Sequence, residues 1–197
     1  IFDEAHQLPE TASLFFGDGI GSTQLVELAR DSRNEGITAA KDYPPLQESA
    51  RVLDKAARDL RLAVRGEAAR LPFSQVEKDE DFQRSLTAVE AALADLGRHL
   101  DSQAGRGAGL QNCLRRSQEL AIKLKRWRAK DDAPSPPAPL PHRERGEVYV
   151  RWVETFTHSL SLNMTPLSVA DIFKRQLDGH PRRWIFTSAT LGVGSHF

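Results

Sequence analysis

The chain has 197 residues with 27 basic and 27 acidic side chains, a formal net charge of zero, 40% apolar and 7% aromatic content, and one cysteine. No apolar run approaches the length that spans a bilayer, and a single cysteine excludes a disulfide scaffold or a zinc or iron–sulfur site built from several local cysteines. Zero net charge predicts no strong attraction of the whole molecule to nucleic acid or acidic membrane, so charge has to be read segment by segment.

Ile1-Phe2 run straight into Asp3-Glu4 without a turn signal, as the end of a buried strand would. Next comes a short helix expected over Thr23 to Asn34, with Ser22 or Thr23 as cap and Gly36 as stop. Three longer helices follow from steps of three and four. The first carries Leu46, Ala50, Leu53, Ala57, Leu60 and Val64 on one stripe. The second carries Phe82, Leu86, Val89, Leu93, Leu96 and Leu100. On the third lie Leu110, Cys113, Ser117, Leu120, Leu124 and Trp127. Pro44-Pro45, the stretch from Gly66 to Pro72 and the glycines between 105 and 109 supply the breaks. A single amphipathic helix cannot bury its stripe alone, which predicts an antiparallel bundle or coiled-coil-like arch.

Residues 133–147 hold five of the eleven prolines and read as an extended, solvated loop. Val148 to Val153 alternate as a strand, Thr155 to Asn163 suit the second strand of a hairpin, and Thr165-Pro166 suit the start of a helix ending near Leu177. A last strand is expected over Arg183 to Thr187. Both ends read as cuts in a longer chain, nothing suggests export, and the lone Cys113 fits a reducing cytoplasm.

Chemistry concentrates at two strand ends. Hydrolysis of a phosphoanhydride needs one carboxylate to hold hydrated magnesium and another to orient and deprotonate the attacking water. Asp3 and Glu4 can supply both where the chain leaves a sheet, with His6 two residues on. Ser188-Ala189-Thr190 follow the other apolar run, Trp184-Ile185-Phe186, and their hydroxyls suit a bridge between a nucleotide site and a nucleic-acid site. Open α/β sheets bind ligands at such carboxyl ends.

Ile1-Phe2-Asp3-Glu4-Ala5-His6-Gln7-Leu8 resembles motif II of the superfamily 2 DNA helicases of the XPD/DinG type, and Trp184 to Gly192 resembles their motif III. Leu14-Phe15-Phe16-Gly17, Asp59-Leu60-Arg61-Leu62 and Leu191 to Phe197 are closest to the bacterial DinG/YoaA branch. The resemblance implies an α/β fragment, predominantly helical: part of a P-loop (RecA-like) motor sheet with an inserted antiparallel helical arch. It implies residues 1–22 at the end of the first motor domain, 23–147 as the arch and 148–197 as the return to the motor. By the same resemblance Asp3 holds Mg2+ through water, Glu4 is the base for ATP hydrolysis, and His6 couples the site to Ser188, Ala189 and Thr190. The intact enzyme would move 5′-to-3′ on single-stranded DNA in repair or replication and carry a [4Fe–4S] cluster upstream of motif II. No glycine here is followed by lysine, so the phosphate-cradling loop is absent and the isolated chain is expected to be inactive.

From Arg106 to Lys130 eight basic residues face one acid, Glu119. Arg115, Arg116, Lys123, Lys125, Arg126 and Arg128 are therefore candidates for contact with single-stranded DNA. Trp127 lies on the apolar stripe and is assigned to the core, as are Tyr149, Trp152 and Phe156. The alternative is a helical module without chemistry of its own that binds single-stranded DNA or a replication or repair protein. A cytoplasmic monomer with no membrane association is expected.

Overall fold

The computed structural model describes residues 17–66, 69–129 and 149–166. The chain divides into two compact units, of which one gathers Gly19–Ala129 with Arg151–Asn163 and is described almost completely. The other, Ile1–Asp18, Lys130–Val150 and Met164–Phe197, falls mainly outside the described residues. The last expected strand, the expected helix beyond Pro166 and the proline-rich segment 133–147 lie outside them as well.

The described elements run β1 (Asp18–Gly21), α1 (Ser22–Ala39), α2 (Pro44–Ala63), β2 (Arg70–Pro72), the one-turn α3 (Phe73–Val76), α4 (Glu80–Gln103), a 3-10 turn (Ala104–Arg106), α5 (Ala108–Arg128), β3 (Tyr149–Thr155) and β4 (Leu160–Pro166). The four long helices pack in a ring: α1 on α2, α2 on α4, α4 on α5, and α5 back on α1. Short loops join α1 to α2 and α4 to α5, which makes each pair an antiparallel hairpin. Every residue of the three expected stripes is buried, from Leu46 through Val64, Phe82 through Leu100 and Leu110 through Trp127. Ser117, the polar interruption, donates to the Leu114 carbonyl at 2.7 Å. It also faces the bare backbone of Gly97, so a hydroxyl fits where α4 and α5 approach closely.

Helix ends depart from expectation in three places. Gly21, not Ser22 or Thr23, caps α1: its amide donates to Gln24 Oε1 at 3.1 Å, while the Ser22 hydroxyl accepts the Leu160 amide at 3.0 Å. Gly36 does not stop the helix, which runs on to Ala39. It is buried because a Cβ there would stand 3.2 Å from Leu46 Cδ2, so close packing of α1 on α2 explains the glycine. The expected glycine hinge also shrinks: residues 104–106 form a 3-10 turn, and Gly109 already lies inside α5. Pro44 and Pro45 act as read and open α2, where missing amides cost nothing, and Asp79, which the sequence reading did not single out, caps α4 by accepting the Phe82 amide at 3.0 Å.

The strands form one sheet in the order β1-β4-β3-β2. β2 and β3 are antiparallel, with Leu71 opposite Val153 and Pro72 opposite Trp152. β3 extends two residues past its expected end, and β4 begins at Leu160 rather than Thr155. The turn between them is closed by the Phe156 amide donating to the Ser159 carbonyl at 2.8 Å. Thr165 and Pro166 belong to β4 rather than opening a helix. β1 and β2 went unforeseen, being short and holding one apolar residue at most in alternation.

Trp127 and Arg151 tie α5 to this sheet. The Trp127 indole donates to the Asn163 carbonyl at 3.0 Å, with its ring packed edge-on to Phe73 and Phe82. Arg151 of β3 reaches the last turn of α5, donating to the carbonyls of Trp127 and Ala129 at 3.0 and 3.2 Å. A cation at a helix C-terminus satisfies orphan carbonyls and meets the negative end of the dipole.

Candidate nucleic-acid interface

Asp3, Glu4 and His6, with Ser188, Ala189 and Thr190, lie outside the described residues. The six basic candidates all lie on α5, and the structure does not bring them to one face. Arg115 and Arg126 are exposed on the outer side, with Ile122, 60% exposed, between them. Arg115 is engaged along its own helix, at 2.5 Å from Glu119 Oε1 and 3.0 Å from Asn112 Oδ1. Arg116 turns toward α1 and pairs with Asp31 at 2.7 Å, both side chains partly shielded. Arg128 turns the opposite way, toward α4, where it pairs with Glu90 and donates to Thr87 Oγ1 at 3.0 Å. Lys123 is half-buried and Lys125 exposed. Arg116 and Arg128 are thus interhelix fasteners, while Arg115, Lys123, Lys125 and Arg126 carry the cationic character of the outer side.

Around the other helices, exposed ion pairs repeat at helical spacing: Arg51 with Glu48, Lys55 with Asp59, Arg58 with Asp54. Such pairs add a few tenths of a kcal/mol each, about 0.2–0.5, and leave little net field. Between the two hairpin turns, Arg106 pairs with Asp42, and this hydrogen bond holds the Asp42 carboxyl below its usual range. Nearby, the Tyr43 hydroxyl and His99 Nδ1 share a hydrogen bond of 3.0 Å.

Cys113 is buried, and burial pushes its thiol up, against a smaller opposite pull from the Ser32 side chain. A lone buried thiol cannot ligate an iron–sulfur cluster, which needs several thiolates. Among the described residues no group of histidine, cysteine or carboxylate side chains is arranged to hold a metal. No described helix is long and apolar enough to cross a membrane.

The aromatic residues divide differently from expectation. Trp127 is core, as its stripe position requires. Phe156 is not: it sits in the β3–β4 turn with 46% exposure. Trp152 is half-exposed on the sheet, with the Arg70 guanidinium 4.2 Å from its ring centre. Alternation along β3 puts Trp152 on the face opposite Val153, and that alternation was the signal available in the sequence.

Helical hairpins packed in a ring against a small sheet make the described part a mostly helical α/β segment. Over 193 residues, 98% of this chain, the sequence is 34% identical to the ATP-dependent DNA helicase YoaA of Escherichia coli strain K12. Over 199 alignment positions it is 32% identical to the protein of the same name from Haemophilus influenzae. Over its whole length the chain is thus similar to a segment of DinG/YoaA-type helicases. The chain spans 28% and 29% of the length of these two relatives. No protein-family model matches it, and no solved structure matches it.

Proposed function

We propose that the protein to which this chain belongs is an ATP-dependent DNA helicase of DinG/YoaA type, moving 5′-to-3′ on single-stranded DNA in replication or repair. The observation that carries the helicase class is similarity along essentially the whole chain to two relatives named as ATP-dependent DNA helicases, while the direction and the setting follow from the resemblance of the motifs. The residues agree with it. A hard cation such as Mg2+ takes oxygen ligands, and Asp3 offers a carboxylate for its hydration shell. Glu4 is the base that takes a proton from the attacking water. His6 relays the state of the nucleotide site to the hydroxyls of Ser188 and Thr190, with Ala189 as the small residue between them. Magnesium bound with ATP supplies neutralisation of the phosphate charge that builds up in the transition state. The ring of helices is the arch beside the strand's path. The phosphate-binding loop and the cysteines of a [4Fe–4S] cluster belong to parts of the intact protein beyond this chain.

Asp3→Ala and Glu4→Gln in the intact protein should each abolish ATP hydrolysis while leaving its thermal melting unchanged. Normal turnover in either variant overturns the assignment. A second reading, a helical module that binds single-stranded DNA or a repair partner without chemistry, is favoured by the closed helical core. Full ATPase loss in the two variants, with strand separation lost alongside, excludes it.

A further inference from the structure

The chain passes between its two compact units at four places: after Asp18, after Ala129, after Val150 and after Asn163. The residues on the helical side of these crossings, Gly19, Ala129, Arg151 and Asn163, are distant in sequence, yet short contacts join them. β1, β4 and β3 are consecutive in the sheet, which sets Gly19, Asn163 and Arg151 on neighbouring strands. Gly19 lies so close to Asn163 that a Cβ would stand 2.9 Å from its Oδ1. The Asn163 carbonyl takes the Trp127 indole N–H at 3.0 Å. From β3, Arg151 donates to the Trp127 and Ala129 carbonyls at 3.0 and 3.2 Å. Its guanidinium also lies 4.4 Å from the centre of the Phe73 ring, which meets Trp127 edge-on. The four ends of the helical unit are thus gathered in one clasp.

Every covalent path into the ring of helices passes through this clasp, and the bonds across it oblige the paths to move together. Without them, a pull on one link acts on the single element it enters: α5 through Ala129, or β4 through Asn163. Arg151 makes the join between the end of α5 and the strands. A guanidinium holds its donors in a fixed plane, and here it spans two carbonyls of a helix end whose dipole favours a cation. We propose that Arg151 is a positioning residue for strand separation: by clasping α5 to the sheet it makes the ring turn as one body when its links are moved, instead of giving way at the end of α5. The proposal rests on the helicase reading, in which the nucleotide cycle drives movement along the chain.

The test compares Arg151→Met and Arg151→Lys with the parent, in the intact protein and well below its melting transition. Methionine keeps an unbranched stem beside Phe73 and removes the donors, whereas lysine keeps a donor and the charge. Arg151→Met should hydrolyse ATP on single-stranded DNA with the kcat and KM of the parent, yet separate a forked duplex about five-fold more slowly or worse. Arg151→Lys should recover most of that loss. Amide hydrogen exchange should rise at the last turn of α5 and stay unchanged along α1, α2 and α4. Faster exchange across all four helices shows a residue needed only for folding and overturns the proposal. Unwinding at the parent's rate by Arg151→Met overturns it too, as does equal loss of hydrolysis and unwinding. In these cases the helicase reading stands. A parent protein that neither hydrolyses ATP nor unwinds DNA overturns that reading, and the proposal with it.

Discussion

Trp127 shows how one residue can be read correctly for position and only half-read for role. Its place on the α5 stripe dictates burial, and it is fully buried. Periodicity says nothing of its indole N–H, which must find an acceptor once water is excluded. That acceptor, the Asn163 carbonyl, lies 36 residues away on β4. Trp127→Phe keeps an aromatic ring in the pocket but leaves the carbonyl without this donor. Urea unfolding should show a loss of about 1–3 kcal/mol, the cost of an unsatisfied buried polar group plus some lost packing. An unchanged midpoint would mean that the bond contributes nothing. Phe156 marks the opposite case: aromatic character alone suggested core, but its place one residue past the strand end puts it in a turn. Residue type predicts burial less well than position within an element does.

At the scale of elements, the stripes were legible because three helices each repeat one pattern over about five turns, and a signal that long survives local exceptions. Close approaches were not legible, because a glycine that stops a helix and a glycine that admits a neighbour look the same in one dimension. Gly109 is the sharpest instance. A Cβ there would lie 2.0 Å from a Glu35 carboxylate oxygen, so α1 delivers a carboxylate to the first turn of α5. The N-terminus of a helix favours such an anion by about 0.3–1 kcal/mol. Gly109→Ala should therefore displace the flexible Glu35 carboxylate, and the lost contact should largely offset the gain in helix propensity. In a Glu35→Ala background the same change should stabilise the protein by about 0.5–1 kcal/mol, through helix propensity alone. A larger gain in that background than in the parent, read in denaturant, is the check. A like test applies to the link between the two hairpin turns. The Asp42 carboxyl is lowered from 3.8 by its bond to Arg106, so the link's stabilisation is present above that value and fades as pH falls through the lowered pKa. Asp42→Asn should flatten the acid limb by lowering stability at neutral pH while leaving it unchanged below the lowered pKa, and the whole effect should be small because the pair is exposed to solvent.

Across the whole molecule, zero net charge coexists with a helix that is strongly basic by count, and geometry decides which of its cations can meet phosphate. Counting charges along α5 could not reveal that Asp31 and Glu90, from helices on either side, already claim Arg116 and Arg128, since those partners are distant in sequence. Breaking such a pair for a phosphate would abandon a partly shielded carboxylate, whereas Lys125 and Arg126 stand exposed. The outer side of α5, not its flanks, is where strand contact is expected. Each phosphate neutralised on a single strand steepens the fall of log K with log salt by about 0.7. Neutralising Lys123, Lys125 and Arg126 together in the intact protein should flatten that slope by about 2 and weaken binding at low salt more than at high salt. Arg116→Gln and Arg128→Gln should leave the slope nearly unchanged and instead lower the melting temperature. If the flank variants flatten the slope and the outer-face variant does not, the ion pairs open to admit DNA, and the strand runs along the seams between helices rather than over the crest of α5.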